Sequence, residues 1–227
     1  MKTGHFLMIA IICSASSSAH SAELLAQPEY QEGQTFIFNN GRVEQYSGTD
    51  GNLIIWKHRS GRKYSRAPSF FVPILQWKTS RSRGSRKLNG HPDKLWPLRA
   101  NKKVRFSVVT NSEFRKKNQN WEQARRRRSV QFWTCHTRPM VTIQVPAGQF
   151  ETQPVECQKF STSSMKVLQK QVWYYSPAVG HYIRKDNQSY LSGKHSSILL
   201  VTTLTGRAAN PKRIRSILDK IKSEPTG

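Results

Sequence analysis

Acidic residues are scarce in this chain of 227 residues: 13 Asp and Glu stand against 37 Lys and Arg, a formal charge of +24. So few carboxylates form no evident acid–base pair. Cysteine is equally sparse, with three residues and no C-x-x-C spacing. H-E-x-x-H, the G-x-S-x-G elbow and the Walker loop are all missing. Beyond the N-terminus, His58, His91, His136, His181 and His195 are scattered without metal-ligand spacing. The reading therefore assigns no catalytic residue, cofactor or metal ligand and expects a non-enzymatic protein. After the first segment, no apolar run approaches the roughly 20 residues of a spanning helix. Apolar residues at 36% and aromatics at 10% nevertheless suffice for a packed core.

The first segment reads as an export signal. Lys2 is a short positive region, Phe6–Cys13 an apolar block, and Ser14–Ala22 a small, polar stretch offering cleavage after Ala19 or Ser21. Ile12 precedes Cys13 where lipidation needs a small residue. Residues 1–22 are thus expected to be removed, leaving a periplasmic or secreted chain. Residues 23–227 then form one β-rich domain with a charge of +23, since only Lys2 is lost. Two cysteines remain, Cys135 and Cys157, and an even count in an exported chain favours a disulfide over two buried thiols.

From Thr35 the pattern is that of antiparallel strands. Thr35–Phe38 leads into Asn39-Asn40-Gly41, a hairpin signal, because both turn residues must tolerate positive φ. Asp50-Gly51 and Ser60-Gly61 divide the next extended runs. Residues 67–102 read as a proline-broken, basic connection, with Arg81–Lys87 a flexible loop and Pro68, Pro73, Pro92 and Pro97 interrupting regular structure. Lys103–Thr110 is extended, residues 111–124 are ambiguous, and Ser129–Cys135 is β-like. In the hairpin around Pro146-Ala147, Ile143 faces Phe150 and Val141 faces Thr152. A bulge at Pro154 would put Cys135 and Cys157 on one face, offset by about one pair; a second irregularity at Pro139 would remove the offset. Strands are expected at Met165–Tyr175, His181–Lys185 and Ser196–Thr205. Asn210-Pro211 then starts a helix at about 210–223, with Ile214, Ile217, Leu218 and Ile221 on one face and a basic opposite face. This helix is expected to cap the sheet.

Two segments carry a resemblance. Val145–Thr152 resembles the V-P-A-G-x-F-x-T turn, and Trp173–Arg184 the W-Y-x-S-P-x-x-G-x-x-V-[KR] segment, of an uncharacterised family of secreted bacterial β-rich proteins. Leu95–Leu98 is similar to that family's L-x-P-L element, although the usual following glycine is absent. The resemblance spans about residues 95–205 and implies an antiparallel open or half barrel, similar in shape to periplasmic lipoprotein carriers. Its motifs are structural turns, Pro146 with Gly148 and Pro177 with Gly180. The second turn is expected to present Trp173, Tyr174 and Tyr175 on one side.

Charge is the most specific functional signal. Arg81, Arg83, Arg86 and Lys87 form one basic run, and Arg125, Arg126, Arg127 and Arg128 another. So large a surplus strains a compact state unless something anionic lies nearby. An anionic lipid, a glycolipid, a cell-wall polymer or a membrane surface is the expected partner, and export argues against nucleic acid. The reading is an exported envelope protein that binds an anionic amphiphile or surface. Its alternatives are an interaction module without a cavity, docked on anionic polymer, and an enzyme of envelope polymers.

Overall fold

The computed structural model describes residues 24–223; the signal segment expected at 1–22 lies outside the described residues. The strands are β1 (Thr35–Phe38), β2 (Val43–Asp50), β3 (Leu53–Lys57), β4 (Lys63–Arg66), β5 (Gln76–Lys78), β6 (Ser82–Gly90), β7 (Lys103–Phe114), β8 (Arg125–Thr137), β9 (Val141–Val145), β10 (Gly148–Phe160), β11 (Val167–Ser176), β12 (His181–Ser189) and β13 (His195–Leu204). One helix, α1 (Pro211–Ser223), follows.

Twelve of these strands form a closed antiparallel barrel, which corrects the open or half barrel expected from the sequence. The order runs β11-β12-β13-β1 and then consecutively to β8 and β10, and β10 pairs with β11 to complete the ring. Closure leaves no ring strand with an unpaired edge. The remaining strand, β9, continues β8 beyond a bulge.

A second correction concerns Arg81–Lys87. Residues 82–90 are strand β6, bonded to β5 on one side and β7 on the other. Its Ser, Arg, Lys and Gly residues lack an apolar alternation, so the sequence reads as a loop; only its neighbours make it a strand. Gly84 is needed there, because a Cβ would lie 2.5 Å from the Trp77 ring opposite. The prolines keep to the segments on either side, 67–75 and 91–102.

The β9–β10 hairpin has the expected register, Ile143 opposite Phe150 and Val141 opposite Thr152. The bulge, however, is not at Pro154, which pairs regularly with Tyr174. Between Thr152↔Val141 and Val155↔Thr137, β10 advances three residues and its partner four. The extra residue falls at Arg138–Met140, around Pro139, and it sets Cys135 directly opposite Cys157. The two are joined by a disulfide.

Strand direction sorts the loops to two ends. The segments 67–75 and 91–102 plug one end with Phe70, Phe71, Leu95 and Leu98, all at most 3% exposed. Leu25 forms a bridge with Leu98, and Tyr30 packs edge-on to Trp56, so the lead-in at 24–33 is part of this plug. The turn at Pro146-Ala147 closes over it, the Ala147 N–H donating to the Leu200 carbonyl at 3.1 Å. Loops 39–42, 58–62, 79–81, 115–124, 161–166 and 190–194 surround the opposite, open end. Helix α1 covers the outside: Leu218 buries against Ile37, Val43 and Leu204, and the Arg213 N–H donates to the Asn210 Oδ1 cap at 2.9 Å.

Candidate anion-binding site

The register brings the two basic runs together at the open end, one on each side of β7. Arg83 and Arg126 both reach Glu113, at 2.6 and 3.3 Å. The Arg83 hydrogen bond and the two guanidinium charges hold the Glu113 carboxyl below its ordinary value. The strand period then divides each run between two faces. Arg83, Arg126 and Arg128 point outward and, with Lys63 and Lys78, line a groove of 850 Å³ across the outside of β4–β8. Arg86, Arg125 and Arg127 lie on the inward face and, with Trp77 and Phe114, line a cavity of 520 Å³ inside the open end. Lys87 points outward and exposed, while Arg81 sits in the turn before β6, where its carbonyl accepts the Arg115 N–H at 3.0 Å. Neither lines the groove or the cavity.

Arg86 is held firmly. Its Nη1 donates to the Ile74 carbonyl, its Nε to Thr110 Oγ1 at 3.3 Å, and its guanidinium lies 4.5 Å over the Trp77 ring. Deeper on the inward face come Trp133 and, directly opposite on β10, Lys159. Burial lowers the pKa of Lys159, and the Arg86 charge lowers it further. The aromatic side chains of the resemblance segment do not share one side: Trp173 and Tyr175 point inward, whereas Tyr174 points outward beneath Arg184 at 5.2 Å. Alternation along β11 enforces that split.

Toward the plugged end lies a polar cluster that sequence reading missed. Glu44 is 1% exposed and is the one inward-facing carboxylate among the described strand residues. Arg42 and Arg66 pair with its Oε1, and Tyr64 donates to the same oxygen at 3.0 Å. Tyr182 donates to Oε2 at 2.8 Å, and His181 Nε2 approaches it at 3.1 Å. A carboxylate only accepts, so His181 carries its proton on Nε2 and its Nδ1 accepts from Tyr30 at 2.9 Å. Burial alone would raise the Glu44 pKa, but Arg42, Arg66 and His181 outweigh it and hold the carboxyl well below the usual range. Beside this cluster, Lys185 Nζ lies 3.8 Å over the Trp173 ring. Burial, with Arg66 and Arg42 nearby, lowers its pKa to about 7. Glu44 is a lone acid on a strand otherwise read as part of a meander, and Lys159 lies two residues beyond Cys157. Period-two counting from Phe36 or from Cys157 is the signal that finds them.

No protein-family model matches the chain, and no curated protein does. Among solved structures, the chain is similar to the hypothetical lipoprotein YmcC of Escherichia coli K12, with 8% identity and a TM-score of 0.46 over 76% of this chain and 84% of that one. It is also similar to a protein of Bacteroides fragilis NCTC 9343 described as exported and YmcC-like in fold, with 11% identity and a TM-score of 0.42 over 81% of this chain and all of that one.

Proposed function

We propose that this is a non-enzymatic, exported envelope protein that binds an anionic amphiphile, a lipid or glycolipid, at the open end of its barrel. One observation carries the reading: both basic runs meet at this end, with Glu113 the one acid between them. The rim adds support. Phe114, Met165 and Leu191 are 58, 60 and 77% exposed on three different loops or strand ends of that rim. Arg115, Lys166 and Lys194 lie within three residues of them. Apolar tips among cations suit the interface of an anionic bilayer, where charge attracts and apolar side chains insert. The N-terminal signal pattern and the Cys135–Cys157 bond agree with an oxidising, extracytoplasmic compartment.

The test is co-sedimentation with phosphatidylcholine vesicles, with and without phosphatidylglycerol, across a salt series. The wild type should bind only the anionic vesicles and should release as salt rises, because exposed charges are screened over about 10 Å at 0.1 M salt. Replacing Arg125–Arg128 with Gln should abolish most of that binding while circular dichroism stays unchanged. Equal binding by the variant at low salt would remove these arginines from the site. Binding that ignores salt would defeat the electrostatic account.

A further inference from the structure

The barrel interior is rich in donors and poor in acceptors. Glu44 already receives five donors. The indole N–H groups of Trp133 and Trp173 are buried without a hydrogen-bond partner, as is the Nε–H of Arg66, whose Nη2 pairs with Glu44. Buried donors are satisfied in the great majority of native structures, so unmet donors beside cations point to an acceptor brought by a ligand. The cavity at the open end leads toward them, its lining reaching Gln131 but neither Trp133 nor Lys159. Arg86 lines it, Gln131 stands on its wall, and Trp133 is the next inward residue along β8. Trp133 is 4% exposed, and Lys159 Nζ lies 6.0 Å over its ring. Neither Arg86 nor Lys159 forms an ion pair with any described carboxylate.

We infer that Arg86, Lys159 and the indole N–H of Trp133 form an oxyanion site inside the barrel that takes a phosphate group. This deepens the proposed function by naming the chemical group held below the mouth, and it rests on that reading for the source of the ligand. Three donors come from three different strands, β6, β8 and β10. A tetrahedral phosphate presents oxygens in several directions and so can meet donors arriving from three separate strands. Arg86 is fixed through Nη1 and Nε, which leaves Nη2 for the anion, in the charge-assisted geometry that binds oxyanions strongly. The lowered pKa of Lys159 agrees with this, since an anion beside it would restore the charged form.

The test is isothermal titration of the full chain with inorganic phosphate, short-chain phosphatidic acid and short-chain phosphatidylcholine. Phosphatidic acid binding with phosphate silent identifies a lipid headgroup as the source, and binding of phosphate alone identifies the free anion; either supports the site. Lys159→Met should weaken the binding about tenfold or more, and Trp133→Phe should weaken it by a smaller factor. Lys159→Arg should restore it, with thermal melting as the control for folding. Affinity for both anions unchanged in Lys159→Met and Trp133→Phe overturns the inference, as does equal binding of phosphatidylcholine. Titration with soluble ligand and vesicle co-sedimentation, both read on the wild type and Lys159→Met, separate this inference from membrane docking. Soluble phosphatidic acid bound in a Lys159-dependent way, without any vesicle binding by the wild type, keeps the interior site and defeats the docking reading. Salt-sensitive vesicle binding with no Lys159-dependent titration does the reverse.

Discussion

Two inward residues carry the sharpest energetic consequences. Glu44 holds Arg42 and Arg66 together with two tyrosines and His181. Removing its charge leaves buried guanidinium groups unpaired, so Glu44→Gln should destabilise the fold by about 3 kcal/mol or more, read as a lower chemical-denaturation midpoint. Its pKa is depressed in the folded state, so its contribution is present above the ordinary carboxylate value and is lost only as pH falls through the depressed one. The Gln variant should therefore lose less stability than wild type on strong acidification, and an equal loss in both proteins would contradict this account. Lys185 works in the opposite sense. Its folded pKa of about 7 lies below the ordinary 10.5. Between these values the unfolded chain holds a proton that the folded one has released. Charging the amine thus costs the folded state most below pH 7, and the cost fades as pH rises toward 10.5. Lys185→Met should raise the melting temperature at pH 6 and give a smaller gain at pH 10. A gain that does not vary with pH would show that packing alone is responsible.

At the level of elements, the one-residue bulge at Arg138–Met140 is decisive. It turns a diagonal relation between Cys135 and Cys157 into a direct cross-strand pair. The bond closes a loop of sequence separation 22. Loop-entropy reasoning gives about 3 kcal/mol for such a closure. The double variant Cys135→Ala, Cys157→Ala should unfold at correspondingly lower denaturant with an unchanged barrel spectrum, and denatured, unreduced wild type should show no free thiol at these positions. Two labelled thiols would end the claim. The same paragraph of chain shows how legible elements were. The turns at Asn40-Gly41 and Pro146–Gly148 and the helix opened by Asn210-Pro211 declare themselves through local chemistry: positive φ at Gly41 and Gly148, and a side-chain cap at Asn210. β6 declares nothing, because its polar residues acquire strand geometry only from hydrogen bonds to β5, across a three-residue turn, and to β7, beyond a proline-broken segment.

For the whole molecule, charge and closure act together. The basic surplus is visible in composition, and so is its concentration in two runs. Which side chains of those runs meet is a matter of register. Alternation sends Arg126 and Arg128 to the outer groove and Arg125 to the inner cavity, with Arg127 lining both, while pairing across β7 sets Arg83 and Arg126 on one carboxylate. The sequence by itself determined the strand-and-turn grammar, the terminal helix, the even pair of cysteines and the basic surplus, because each depends on neighbouring residues or on a sum over the chain. The tertiary structure alone decided that the barrel closes, that one end is plugged with aromatics, and that Glu44, Trp133, Lys159 and Lys185 face inward. These depend on which distant strands pair, and a shift of one residue in that pairing sends every side chain of a strand to the other face.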